Sequence, residues 1–147
     1  MRILRTCGLA CLLLLVDPGS SLSAEAYDPI LSGKVTGVVD ANTLQFAERR
    51  VQLAGILPPT RGRPEHGQAQ DLLHSLTQGE YVWCLLIQEE GPEPLRGFCY
   101  VRGGLDLADV LVRRGLGRDC PRFSGGRYYL METKNARRSM NMPDGCF

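Results

Sequence analysis

The chain has 147 residues, 44% of them hydrophobic and 22% charged, with a formal net charge of +1. That is one domain's length, with enough apolar residues to bury a core. Near-neutrality argues against broad, sequence-independent nucleic-acid binding, which needs a basic footprint.

The N-terminus reads as a secretory leader. A basic "MRILR" precedes an apolar run from Cys7 to Val16, then the breaker "DPGS" and small residues through "SLSAEA". The apolar run is too short to span a bilayer comfortably. Ala24 and Ala26 fit the small-x-small cleavage rule and place the mature start at Tyr27, with Glu25 the slightly earlier alternative. The expected organisation is a leader over residues 1–24, or to 26, and one domain over 27–147, exported to the periplasm or outside the cell. No membrane span is expected in the mature chain. Loss of Arg2, Arg5 and Asp17 with the leader leaves fifteen basic and fifteen acidic residues. Six cysteines become four: Cys84, Cys99, Cys120 and Cys146. An even count in an exported chain reads as two disulfides with three possible pairings. Cys84–Cys99 and Cys120–Cys146 are preferred. The first pair lies on neighbouring β-runs, and the second would close the tail onto the body.

The segment 31–56 alternates as strands do, over Val35 to Val39, Thr43 to Phe46 and Arg50 to Leu53, broken by the short turns "DAN" and "AERR". From Pro64, Leu72, Leu73 and Leu76 form a helical stripe that stops at Gly79. "YVWCLLI" is an apolar strand and "GFCYV" its antiparallel partner. "LDLADVLVRRGLG" is a second helix, and "RYYLMETKNARRSM" a third, more polar one. No internal repeat, linker or low-complexity segment interrupts the chain. The expected class is α+β, mainly β: five strands and three helices in the order of an OB-type barrel. Tyr81 and Trp83 are expected in the core, because their strand neighbours are all apolar. His74, among leucines on a helix, and the Arg113–Arg114 pair read as helix-surface residues.

With the elements placed, "VVDANTLQF", "VQLAGILPP" and "LRGFCYV", followed by "LADVLVRRGLGR", resemble the staphylococcal nuclease (thermonuclease) family over about residues 33–142. V-x-L-A-G-I-x-x-P at 51–59 is the most specific element, backed by A-x-V-L-V-R-x-G-L at 108–116. "DCPRFSGGRY" and Cys146 look like the exported bacterial branch of that family, which includes proteins linked with exopolysaccharide genes. The resemblance implies a five-stranded OB barrel with three helices, and a nuclease that uses one Ca²⁺. The ion sits between an acid of a D-G-D-T hairpin and the acid of R-L-x-G-I-D-x-P-E. The final glutamate of that second pattern positions water, while its first arginine and a later Y-G-R arginine neutralise phosphate charge.

Carried over position by position, the chemistry is missing. The hairpin acid is Asn42, the opening arginine Gln52, the strand-end acid Leu57 and the water-positioning glutamate Thr60. Only the later arginine remains, as Arg96. Asp40 matches the outer acid of the hairpin, and alone it cannot build a calcium site, so no cofactor or metal is expected. The expected function is a catalytically degenerate binding module that holds an anionic ligand, an oligonucleotide or an acidic polysaccharide, with Arg96 and the Arg61–Arg63 loop. Two alternatives stand beside it: a phosphodiesterase rebuilt around Glu65, His66 and Arg96, and a structural or interaction protein of the cell envelope.

Overall fold

The computed structural model describes residues 30–87 and 93–147. The expected leader, residues 1–24 or to 26, lies outside the described residues. The described residues form nine short strands: β1 (Ile30–Lys34), β2 (Gly37–Asp40), β3 (Thr43–Phe46), β4 (Arg49–Leu53), β5 (Ile56–Leu57), β6 (Tyr81–Ile87), β7 (Leu95–Val101), β8 (Leu105–Asp106) and β9 (Arg118–Asp119). Four helices accompany them: α1 (Pro64–Thr77), α2 (Leu107–Arg113), α3 (Pro121–Ser124) and α4 (Lys134–Ser139). The class is α+β and mainly strand.

Seven strands form one mixed sheet in the order β1-β6-β7-β4-β3-β2, with β8 on β7, while β5 and β9 pair separately. All pairings are antiparallel except β4 with β7. Contrary to the expectation of a five-stranded barrel, the hydrogen-bonded sheet is not closed. Its two end strands, β1 and β2, are consecutive in the chain and separated only by Val35 and Thr36. One bent strand path therefore supplies both ends of the sheet. Thr36 stays attached to the second end, donating its backbone N–H to the Gln45 carbonyl at 2.8 Å.

The core follows from period-two alternation in the strands and four-residue spacing in α1. Leu44, Val51, Leu53, Val82 and Cys84 point inward from the sheet, and Ala69, Leu73 and Thr77 cover them from α1. Leu107, Ala108, Leu111 and Val112 add the buried face of α2. Pro64 opens α1 at a position where its missing N–H costs nothing. Asp106 caps α2, accepting from the Ala108 and Asp109 amides at 2.9 and 3.2 Å. Both preferred disulfides are present, Cys84–Cys99 across β6 and β7 and Cys120–Cys146 between the head of α3 and the tail.

Several expectations need correction. The third helix is two pieces: a 3₁₀ turn at Tyr129–Met131, then α4. Thr133 separates them because its side chain caps α4, accepting from the Ala136 amide at 3.1 Å. With α3 added, the α-helices among the described residues number four rather than three. Tyr81 and Trp83 are not core residues. They are 60% and 39% exposed, since β6 alternates and its inward positions are Val82 and Cys84. His74 and the Arg113–Arg114 pair are exposed helix residues, as expected.

Candidate functional site

The parallel pairing of β4 with β7 sets Gln52 beside Arg96. The Arg96 Nε donates to Gln52 Oε1 at 3.3 Å. Beyond β4 the chain turns at Gly55, whose φ of +77° an L side chain rarely adopts. The start of α3 is fastened onto this turn. The Cys120 amide donates to the Gly55 carbonyl at 2.8 Å, and a Cβ at Gly55 would lie 2.8 Å from Ser124 Cβ. That close approach delivers Phe123 to the opposite wall, where its ring centroid is 5.3 Å from the Arg96 guanidinium carbon.

These elements enclose an open cleft of about 160 Å³, lined by Gln52 through Pro58, Arg96, Cys120 and Phe123. None of the described residues that line it is acidic or a histidine. Leu57 sits half-buried at the strand end. The described residues thus give the cleft a guanidinium, a carboxamide, an exposed aromatic ring and apolar walls.

Asn42 and Thr60 do not line this cleft. Asn42 is buried, with its Oδ1 accepting from Thr43 Oγ1 at 3.3 Å, and Thr60 is exposed. The loop arginines do not line it either. Arg61 pairs with Asp40 at 2.5 Å, and the Arg63 Nε lies 3.5 Å from a Glu65 carboxylate oxygen. Asp40 is the centre of a second cluster. It accepts from its neighbour's amide at 2.8 Å and meets His66 Nε2 at 2.6 Å. Partial burial works to raise the Asp40 pKa. Hydrogen bonds from Arg61, the Ala41 amide and His66 outweigh it, and the carboxyl is held below its ordinary value. Glu65 and His66 stand in the first turn of α1, and the His66 side chain is only 14% exposed.

The two clusters occupy opposite ends of one row. Asp40 is the register partner of Thr43, Thr43 of Gln52, and Gln52 of Arg96. Three inter-strand steps of about 4.8 Å separate the ends by about 14 Å. Sequence reasoning missed Phe123, which reads there as part of a connecting loop. Its only signal is a lone aromatic flanked by "DCPR" and "SGG". The Asp40–His66 contact, between residues 26 apart, had no local signal at all.

A comparison of the chain with protein-family models finds no match, and no curated protein matches its sequence.

Proposed function

We propose that this is an exported, disulfide-stapled domain of the staphylococcal nuclease type. On this reading it holds an anionic polymer, single-stranded nucleic acid or acidic polysaccharide, in its cleft without cleaving it. The motif resemblance and the two cross-linked cysteine pairs support the export and family reading. The single path through β1 and β2 that supplies both sheet ends supports an OB-type barrel. The observation that carries the function is the setting of Arg96, between the Gln52 carboxamide and the exposed Phe123 ring. A planar guanidinium beside an exposed ring suits an anionic group attached to a flat or ring-shaped unit.

The residues present do not fit calcium. The ion wants several oxygens, preferably anionic, and the family's two acid positions are a buried carboxamide and a leucine. A hydrolytic site rebuilt from Glu65, His66 and Arg96 is the weaker reading. A reacting atom must lie within about 3 Å of both nucleophile-activating and charge-stabilising groups. The row from Asp40 to Arg96 is several times that length.

The test is fluorescence anisotropy of a labelled single-stranded DNA 20-mer, and of a labelled polyuronate, with wild type and Arg96→Ala at two salt concentrations. The expected result is salt-sensitive binding of at least one probe, weakened at least about tenfold by the substitution. Absence of binding to both would overturn the proposal.

A further inference from the structure

The outer face of the sheet at β1 and β6 is apolar at one end and polar at the other. The antiparallel register sets the exposed side chains of the two strands in three rows: Ile30 beside Leu85, Ser32 beside Trp83 and Lys34 beside Tyr81. Alternation puts all six on the side opposite the buried Val82 and Cys84. Ile30 is 49% exposed, Leu85 42%, Trp83 39% and Tyr81 60%. Trp83 stands against Tyr100, its register partner on β7, with ring centroids 4.3 Å apart, so the indole is propped from one flank. Over about 14 Å of strand the face thus passes from aliphatic, through an indole, to a phenol and an ammonium. Lys34 is exposed and makes no ion pair with any described residue. Of the acids near it, Glu80 lies 3.8 Å from Arg102, and Glu48 faces Lys34 only across the groove beside β1.

We propose that this face docks on a phospholipid bilayer surface, with Ile30 and Leu85 among the acyl chains, Trp83 at the glycerol level and Lys34 on a headgroup phosphate. The order of the rows chooses this occupant. A leaflet passes from hydrocarbon to headgroups within about 5–10 Å, a depth that the face covers when it lies tilted on the surface. An indole or phenol suits that boundary because one end of the ring is apolar and the other polar. A lysine keeps its carbon stem along apolar groups and its ammonium among the phosphates. A polyphosphate track needs a run of unmatched cations and has no use for an aliphatic corner. The chain also enters the fold at that corner. On the leader reading the mature protein starts at Tyr27 or Glu25. Three to five residues, at most about 18 Å of extended chain, then separate Ile30 from the point where the leader is cut. That spacing rests on the leader reading, whereas the order of the rows does not. The face is separate from the cleft, and either reading can fail without the other.

Trp83 is the sole tryptophan of the chain, so its emission reports directly on this face. The oxidised chain from Tyr27, which keeps every described residue, is mixed with vesicles of phosphatidylcholine alone and of phosphatidylcholine with an equal part of phosphatidylglycerol. The expected result is co-sedimentation with the mixed vesicles, a blue shift of the emission, and quenching by lipid brominated on its acyl chains. Replacing both Ile30→Ser and Leu85→Ser should lower the partition coefficient at least about tenfold with the circular dichroism spectrum retained. Lys34→Glu should lower it about fivefold or more on the mixed vesicles, and by less on the neutral ones. Three results would overturn the proposal. These are no co-sedimentation with either vesicle, an emission shift produced only by a dT20 oligonucleotide, and a concentration-dependent shift without lipid accompanied by dimer in sedimentation. Vesicle binding retained in both the Ile30/Leu85 double variant and Lys34→Glu would also move the contact off this face.

Discussion

The Arg96 guanidinium lies 5.3 Å from the centroid of Phe123, although the two residues enter the cleft from β7 and α3, 27 positions apart in the chain. Two features bring them together, the Gly55 turn and the anchoring of Cys120. The contact is of the cation–π kind, so Phe123 helps aim the guanidinium as well as lining the wall. Phe123→Ala should weaken anionic-polymer binding by about threefold to tenfold, in keeping with ~0.5–1 kcal/mol or somewhat more for a partly exposed cation–π pair. Phe123→Tyr should leave it within about twofold. Anisotropy titration at fixed salt checks both.

Gly97 has no room for a side chain. A Cβ there would stand 2.9 Å from the Leu85 carbonyl oxygen and 3.2 Å from a Leu86 methyl. Gly97→Ala must therefore move the β6 backbone beside the position that carries Arg96. A loss of about 1–3 kcal/mol is expected, read from the urea midpoint of the oxidised protein.

Asp106 ties three elements together. It caps α2, accepts from the Tyr128 hydroxyl at 3.0 Å and pairs with Arg127 at 3.2 Å. Tyr128 is almost fully buried. Burial first, then the charge and hydrogen bond of Asp106, pushes its phenol far above the ordinary value of 10.0. Asp106→Ala removes a cap and strands a buried hydroxyl, so about 2–4 kcal/mol should be lost. Asp106→Asn should retain part of this. Thermal melts of the pair measure the difference.

The Asp40 carboxyl has a lowered pKa in the folded protein, against an unfolded value near 3.8. Because the folded value is the lower one, its contribution is complete above the unfolded pKa and fades as pH falls through the folded pKa. The stability difference between wild type and Asp40→Asn should thus shrink as pH falls below about 4. Denaturant midpoints from about pH 5 down to about pH 2 check the sign. A difference that instead grew across that range would contradict the assigned hydrogen bonds.

Much of the sheet was legible because its signals are local. Alternation placed β3 and β4, apolar runs placed β6 and β7, the Leu72–Leu73 stripe placed α1, and the cysteine positions favoured the observed bridges. Long-range packing decided the remainder. The core assignment of Tyr81 and Trp83 failed because a strand of seven apolar residues shows no alternation to read, and only its neighbours choose the inward face. The single long helix at the C-terminus failed at Thr133, where a side-chain cap breaks the pattern. In the cleft, Gln52, Leu57 and Arg96 were found through motif positions. Asn42 and Thr60 were carried by the same motifs and lie elsewhere. Phe123 arrives through the close packing of Ser124 on Gly55, a tertiary contact with no sequence spacing to announce it.

The most direct measurement incubates the purified oxidised protein with an end-labelled single-stranded DNA 20-mer, with calcium and with chelator. Each mixture is divided between a native gel and a denaturing gel. The expected result is a shifted band that runs at full length after denaturation in both conditions, with the shift reduced in Arg96→Ala. Calcium-dependent shortening of the oligonucleotide, lost in Arg96→Ala, would contradict it and would mean that Asn42, Gln52, Leu57 and Thr60 have not ended the chemistry of this cleft.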